Sequence, residues 1–208
     1  MGHASYRGNA GHDMMKRTVL FILITAIMCT SCHNYQNEPT KRWDEQLSDM
    51  MPYLGHRNWI VIADMAYPLQ SGAGITTLFA DEPYTDVMNK VKGMIDNMPH
   101  VFAHVYNDRE LAFISEKDMP GVDSLKVRMK QICGDEAASL PHEELIKRLD
   151  EAGKLYNVVI IKTPLTMAYT TTFFELDCKY WGAEKQAALD SALQGETYQE
   201  VSKQFQNQ

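Results

Sequence analysis

The 208-residue chain has no run of basic residues and no interleaving of aromatic with basic side chains. The electrostatic footprint of a nucleic-acid partner is therefore missing. Histidine numbers seven, yet no H-x-x-x-H pair falls on a helix beside an acid. His100 and His104 have the i,i+4 spacing, but "HVFAHVY" is apolar and β-branched and reads as a strand. There the two rings stand ~13 Å apart at ~3.3 Å per residue, so no metal site is expected. The lone G-A-G at 72–74 opens no helix and does not match a dinucleotide fingerprint. No internal repeat occurs. The one long apolar run, Thr18 to Met28, is too short to cross a membrane.

What is present is enough for a core: 45% of the residues are hydrophobic, which suits one globular domain. The N-terminus reads as an export signal. "MKRTVLFILITAIMCTSC" has Lys16 and Arg17, then the apolar run, then small residues before a cysteine. Its end resembles a bacterial lipoprotein box, with cleavage after Ser31 and a lipid on Cys32. Translation is expected to begin at Met14 or Met15. Residues 1–31 are then the signal, 32–40 a polar tether, and 41–208 the folded domain with a helical tail. Loss of Met1–Ser31 removes Arg7, Lys16, Arg17 and Asp13, leaving 17 basic and 26 acidic residues from 20 and 27, a charge of −9. The expected product is acidic and exported, on the periplasmic or cell-surface side, held to a membrane through a lipid anchor only. Cys133 and Cys178 remain as candidates for a disulfide.

The spacing of apolar residues predicts a first helix over 41–54, with Thr40 as a possible cap and Trp43, Leu47 and Leu54 on one face. Pro52 bends its end. "WIVIAD" is a continuous apolar run, as in a strand buried on both faces. "PLQSGAGITTLFADEP" reads as a long loop and "YTDVMNKVKGMIDNM" as a helix. "HVFAHVYN" and "LAFISE" are strand candidates around the turn "NDRE". "DSLKVRMKQIC" and "SLPHEELIKRLDEAGK" are helices, the second capped at Ser139. "YNVVIIKT" and "TTTFFELDCKYW" are apolar strands, and the tail from Gly182 is helical. Strands separated by helices predict an α/β fold: a single three-layer domain with a central, mostly parallel sheet flanked by helices. Ligands in such sheets gather beyond the carboxyl ends of the strands. Asp64, Lys162 with Thr163, and Glu175 or Asp177 are placed near those ends.

One stretch carries more. "LGHRNWIVIADMAYP" frames its strand with His56 and Asp64, and it resembles the ribose pyranase and fucose mutarotase family. That family carries Gly-His, a polar pair, an apolar strand, then Asp, small residues and Pro at this spacing. "TDVMNKVKGMIDNMPHVFAHVYND", "SLPHEELIKRLDEAGKLYNVVIIKT" and "YTTTFFELD" fit the later elements, so the likeness runs from Trp43 to Asp177. The resemblance implies a ribose-pyranase-like fold. It also implies a cofactor-free enzyme that interconverts anomers or ring forms of a reducing monosaccharide, and a homo-oligomer with sites near subunit contacts. Ring opening needs a proton taken from the anomeric hydroxyl and one given to the ring oxygen, which suits histidine. His56 is thereby the implied proton-transfer residue, with Asp64, Tyr169, Lys162 and Thr171 as implied substrate ligands.

Departures from the family pattern fall mostly in the second half. Asn58 stands where Asp is usual and Thr171 where Asn is usual. A second histidine, expected in the strand before the last helix, has no counterpart there; Lys162 or Thr163 lies nearest. Tyr180 rivals Tyr169 for the late tyrosine. An extended path from His56 to Asp64 spans ~26 Å, so either the His56 turn folds back or the site is shared between subunits. The alternative is a monosaccharide-binding lipoprotein that has lost catalysis on the same fold.

Overall fold

The computed structural model describes residues 41–195. The signal, the tether, Thr40 and Cys32 lie outside the described residues. Six strands form one sheet: β1 (Trp59–Ala63), β2 (Ile75–Phe79), β3 (Val101–Asp108), β4 (Ala138–Leu140), β5 (Val158–Lys162) and β6 (Thr172–Cys178). Their spatial order is β2-β5-β1-β6-β3-β4. Pairing is parallel at β2–β5, β5–β1 and β3–β4, and antiparallel where β6 meets β1 and β3. Five strands therefore run one way and β6 runs against them.

Among the described residues five α-helices accompany the sheet: α1 (Trp43–Met50), α2 (Tyr84–Asp96), α3 (Val122–Cys133), α4 (His142–Ala152) and α5 (Ala183–Gly195). The pleat explains the layering, because alternate residues of a strand face opposite sides. Ile60, Ile62, Val159, Ile161 and Phe174 pack with the inner faces of α1, α2 and α3. Trp59, Val61, Ile160 and Phe173 pack with Leu145 and Leu149 of α4. The adjacent Phe173 and Phe174 thus fill opposite layers, each burial being worth about 1.5–3 kcal/mol. The result is the expected three-layer α/β arrangement. Helix α5 lies outside this packing, with Leu189 and Leu193 exposed.

Several local expectations are corrected. The first helix is α1 followed by a 3-10 turn, Met51–Tyr53, because Pro52 interrupts the α pattern. "ITTLF", read as loop, is the edge strand β2, where only Leu78 is buried. "LAFISE" is no strand: Arg109–Phe113 is a 3-10 turn, and the far edge of β3 is taken by β4. Ser139 belongs to β4, and Pro141 caps α4. Cys133 and Cys178 are both free, and burial pushes the Cys133 thiol up to about 11.

Gly74 is required by close approach. A Cβ there would stand 2.7 Å from the Tyr156 carbonyl oxygen and 2.9 Å from that of Gly153. The carbonyl of Gly74 also accepts from the Val158 N–H, which sets the start of β2 against β5.

Candidate active site at the carboxyl edge of the sheet

Asp64 follows the last residue of β1, and its Oδ1 accepts the Ala66 N–H at 2.7 Å. This side-chain-to-backbone turn swings the chain away from the sheet. The Lys162 ammonium, at the end of β5, donates to the Tyr67 carbonyl and pins the same loop. Thr163 donates to the Ala63 carbonyl through both its N–H and its hydroxyl. Burial, with the carboxylates of Asp150, Asp108 and Asp64 adding, pushes the Tyr67 phenol well up, so it remains a neutral hydroxyl.

At the ends of β3 and β4 the chain brings a histidine to this edge. His142 is the first residue of α4, and its Nδ1 lies 2.9 Å from Oδ1 of Asp108. The His142 backbone N–H meets both oxygens of Glu110, at 3.1 and 3.0 Å. A carboxylate at the start of a helix answers both an unpaired N–H and the helix dipole. The Asp108 side chain is fully enclosed, while that of His142 is 26% exposed. Burial pushes the Asp108 carboxyl above its ordinary value, against the pull of the His142 ring and the Thr171 N–H. Tyr169, at φ 58°, presents its ring at right angles to His142 with centroids 5.5 Å apart.

Asp64, Tyr67, Gln70, His142, Tyr169 and Thr171 line one open pocket of about 760 Å³. The Oε1 of Gln70 is buried without a partner among the described residues. A carboxylate, an imidazole, two phenols, an amide and a hydroxyl thus converge on a space of small-molecule size. Hydroxyl-rich ligands suit such a lining, since each group can accept or donate to an –OH.

His56 lies elsewhere. It stands on the turn before β1, at the opposite edge from Asp64, and that turn does not fold back. The Arg57 N–H donates to the Leu176 carbonyl, and His56 Nδ1 lies 2.6 Å from Oδ1 of Asp177. His104 Nε2 reaches the other oxygen of the same carboxylate at 3.2 Å. Arg57, at φ 71°, donates from Nε to His56 Nε2 at 3.0 Å and from Nη1 to the Tyr156 hydroxyl at 2.8 Å. Burial pushes the Asp177 carboxyl up, but the Cys178 N–H and the two imidazoles together hold it below its ordinary value.

Because β6 is antiparallel, Glu175 and Asp177 also belong to the His56 edge, which corrects their expected place beside Asp64. Glu175 accepts from the Tyr106 hydroxyl. His100 turns to the Leu54 carbonyl rather than toward His104. Asn58 is a turn lock: its Oδ1 accepts the Gly55 N–H and its amide donates to the Asn157 carbonyl. A second cleft of about 710 Å³ lies at this edge between Gly72–Gly74 and Gly153–Asn157. It gathers no carboxylate or imidazole, and the pocket at the carboxyl edge is the stronger candidate.

Of the residues singled out from the sequence, Asp64, Tyr169 and Thr171 meet in the pocket. Lys162 braces the adjoining loop without lining it. His56 stands at the far edge, and Tyr180 is an exposed residue beyond the end of β6. His142 and Asp108 were missed. The available signals were a histidine directly after Pro141 at a helix start and an aspartate closing the strand "HVFAHVYND".

The sequence profile of the RbsD / FucU transport protein family matches residues 40–173. None of the curated proteins matches the chain. Among solved structures, RbsD of Bacillus subtilis complexed with D-ribose is similar at 15% identity, with 67% of this chain and 97% of that chain covered and a TM-score of 0.47. The fucose mutarotase of Streptococcus pneumoniae in complex with L-fucose is similar at 17% identity, with 67% and 97% covered and a TM-score of 0.46. FucU of Bifidobacterium longum shares 16% identity over 64% of this chain and 94% of its own, with a TM-score of 0.41. With the profile covering well over half of the chain and every residue that lines the pocket, the chain belongs to the RbsD / FucU family.

Proposed function

We propose that the protein interconverts anomers or ring forms of a reducing monosaccharide by acid/base catalysis in the pocket of Asp64, Tyr169 and Thr171. The observation that carries this reading is the convergence of Asp64, His142 and Tyr169 on one pocket at the carboxyl edge of the sheet. Family membership supports it, and the lining suits a polyol. Asp64 and Thr171 hold sugar hydroxyls, and Tyr169 presents its phenol to them. Lys162 serves the sugar indirectly, through the loop it fixes.

His56 is the proton-transfer residue implied by the resemblance. Within one chain it is separated from Asp64 by the whole of β1, so it joins the reaction only if a neighbouring copy brings it to the pocket. The reading therefore includes a homo-oligomer with shared sites. It also includes export as a lipoprotein anchored through Cys32. One observation favours the alternative of a monosaccharide-binding protein without catalysis: the outer nitrogen of His56 is occupied by Arg57.

The test is saturation-transfer NMR on the chain from Cys32 onward, with that cysteine replaced, against ribose, fucose, galactose and glucose. Exchange above the buffer rate with at least one sugar is the expected result. A His56→Ala preparation loses exchange, and mixing it with Asp64→Asn subunits restores part of it if sites are shared. Binding without exchange selects the alternative. Neither binding nor exchange with any of the four sugars refutes the reading.

A further inference from the structure

We infer that Asp177 is the residue that positions His56 for proton transfer, an assignment that rests on the sugar-isomerising reading above. The main chain brings the two together. The Arg57 N–H donates to the Leu176 carbonyl at 2.9 Å, and the Leu176 N–H donates to the Asn58 carbonyl at 2.8 Å. The turn before β1 is thereby locked to β6, and His56 Nδ1 comes to lie 2.6 Å from Asp177 Oδ1. The carboxylate is itself aimed. Oδ1 takes the Cys178 N–H at 2.6 Å, and Oδ2 takes His104 Nε2 at 3.2 Å. Phe102 stands edge-on against the His104 ring, with centroids 5.0 Å apart. The turn offers no carboxylate of its own. Asn58 stands where the family pattern has Asp, and it spends its amide on Gly55 and Asn157. The negative charge beside His56 comes from β6 instead.

The contacts on the two sides of the His56 ring agree on one tautomer. Arginine only donates, so the bond from Arg57 Nε requires a lone pair on His56 Nε2. A carboxylate only accepts, so the ring hydrogen stands on Nδ1, facing Asp177. That is the form able to take a proton at its outer nitrogen. The His56 and Asp177 side chains are 55% and 34% exposed. Water therefore screens their attraction, and the pair adds little to stability. What the pair fixes is direction: which nitrogen holds the hydrogen, and where the other one points.

In the reaction Arg57 Nε leaves, and His56 Nε2 takes the proton of the anomeric hydroxyl. The C1–O1 bond becomes a carbonyl as the bond from C1 to the ring oxygen breaks, and its electron pair stays on that oxygen. The ring oxygen then takes the proton back from the imidazolium. Closure on the other face of the carbonyl runs the steps in reverse. Asp177 holds the Nδ1 hydrogen throughout and keeps its charge, and no other reactant is consumed. Arg57 keeps a seat when it lets go of Nε2, because Nη1 still donates to the Tyr156 hydroxyl.

The test compares the unmodified chain with Asp177→Asn, His56→Ala and Glu175→Gln, each checked for folding by thermal melt. Glu175 lies two residues away on the same face of β6 and bonds to Tyr106 rather than to a histidine, so it controls for a general change of charge. Exchange is followed by saturation-transfer NMR, and the His56 tautomer by 15N shifts with the ring neutral. The unmodified chain is expected to show hydrogen on Nδ1. Asp177→Asn is expected to lose that signature and at least about 10-fold in kcat, with KM little changed, since the amide favours the wrong tautomer. Glu175→Gln is expected to keep both. Hydrogen on Nε2 in the unmodified chain overturns the assignment whether or not the variants fold. Full kcat in Asp177→Asn, or in His56→Ala, overturns it and leaves the proposed function standing. A loss of kcat in Asp177→Asn with the Nδ1 signature intact also overturns it, because the residue then acts through the fold. Binding without exchange in the unmodified chain overturns it and selects the binding alternative. No binding and no exchange at all overturns the proposed function, and this assignment with it.

Discussion

Tyr84→Phe removes one oxygen and couples the core to the pocket. The Tyr84 hydroxyl is buried beneath the sheet, within reach of the Ile62 and Thr170 carbonyls and of Thr172 Oγ1. It has one hydrogen to give. Thr172 spends its own hydrogen on Asn107 Oδ1 at 2.9 Å, and the Ile62 carbonyl lies farthest away, at 3.3 Å. The Thr170 carbonyl is the closest acceptor and has no other partner among the described residues. Burial pushes the phenol far above its ordinary value, so it stays a donor at any working pH. Phenylalanine keeps the packing and leaves a buried carbonyl unpaired, a loss of about 1–3 kcal/mol. For a domain of this size the melting temperature falls roughly 2–4 °C for each kcal/mol. Urea titration is the assay: the midpoint drops and the slope m stays unchanged. Thr170 sits between Tyr169 and Thr171, so under the proposed function sugar binding is expected to weaken in the same variant. A loss of stability below about 0.5 kcal/mol, the scatter of neutral substitutions, would refute the claim that Tyr84 anchors this loop.

Asp177→Asn is expected to flatten the acid side of the stability profile. The folded-state carboxyl lies below its ordinary value, so its contribution is present above the ordinary carboxylate range and is lost as pH falls through the depressed value; melts from pH 7 to pH 2 that keep a constant gap between variant and parent would contradict this. Gly74→Ala forces a Cβ against two carbonyl oxygens of the Gly153–Tyr156 turn and is expected to cost about 1–3 kcal/mol; an unchanged urea midpoint would mean that the turn yields freely.

The three central strands were legible because burial on both faces leaves little but apolar residues, as in "WIVIA" and "VVIIK". The edges were not. β2 is half exposed and contains two threonines, and β4 is three residues long. Neither leaves a periodic pattern. The direction of β6 was open to a physical argument. The connection from Thr163 to Thr171 is short and has no helix, whereas a parallel return needs a crossover of a dozen or more residues. That connection puts Thr171 and Tyr169 beside Asp64 and sends Asp177 to the far edge. The pocket itself was half legible. Asp64 and Tyr169 were reachable through the resemblance. His142 was hidden inside a helical pattern, because its partner Asp108 lies 34 residues earlier and meets it only after β3 and β4 pair.

The two edges of the sheet repeat one device in two settings, and the difference bears on the proposed sugar chemistry. Each edge holds a histidine whose Nδ1 rests on a carboxylate closing a strand: His142 on Asp108 at the end of β3, His56 on Asp177 near the end of β6. The strand directions set the edges apart, since β3 is parallel and β6 antiparallel to β1. Of the two carboxylates only Asp108 is fully enclosed, and of the two imidazoles only His142 shares a pocket with Asp64 and Tyr169. The second pair is open to solvent, with the His56 side chain 55% exposed, and its outer nitrogen is held by an arginine in a left-handed backbone conformation. Such a conformation costs a non-glycine residue about 1–2 kcal/mol, offset here by bonds to His56 and Tyr156 and by the guanidinium lying 5.8 Å over the Tyr156 ring. An exposed histidine clamped in this way is poised to be presented to another surface rather than to close over its own pocket. If His56 acts on the sugar, Arg57 must let go of Nε2 when the neighbouring pocket receives it. Release of that bond then becomes part of assembly.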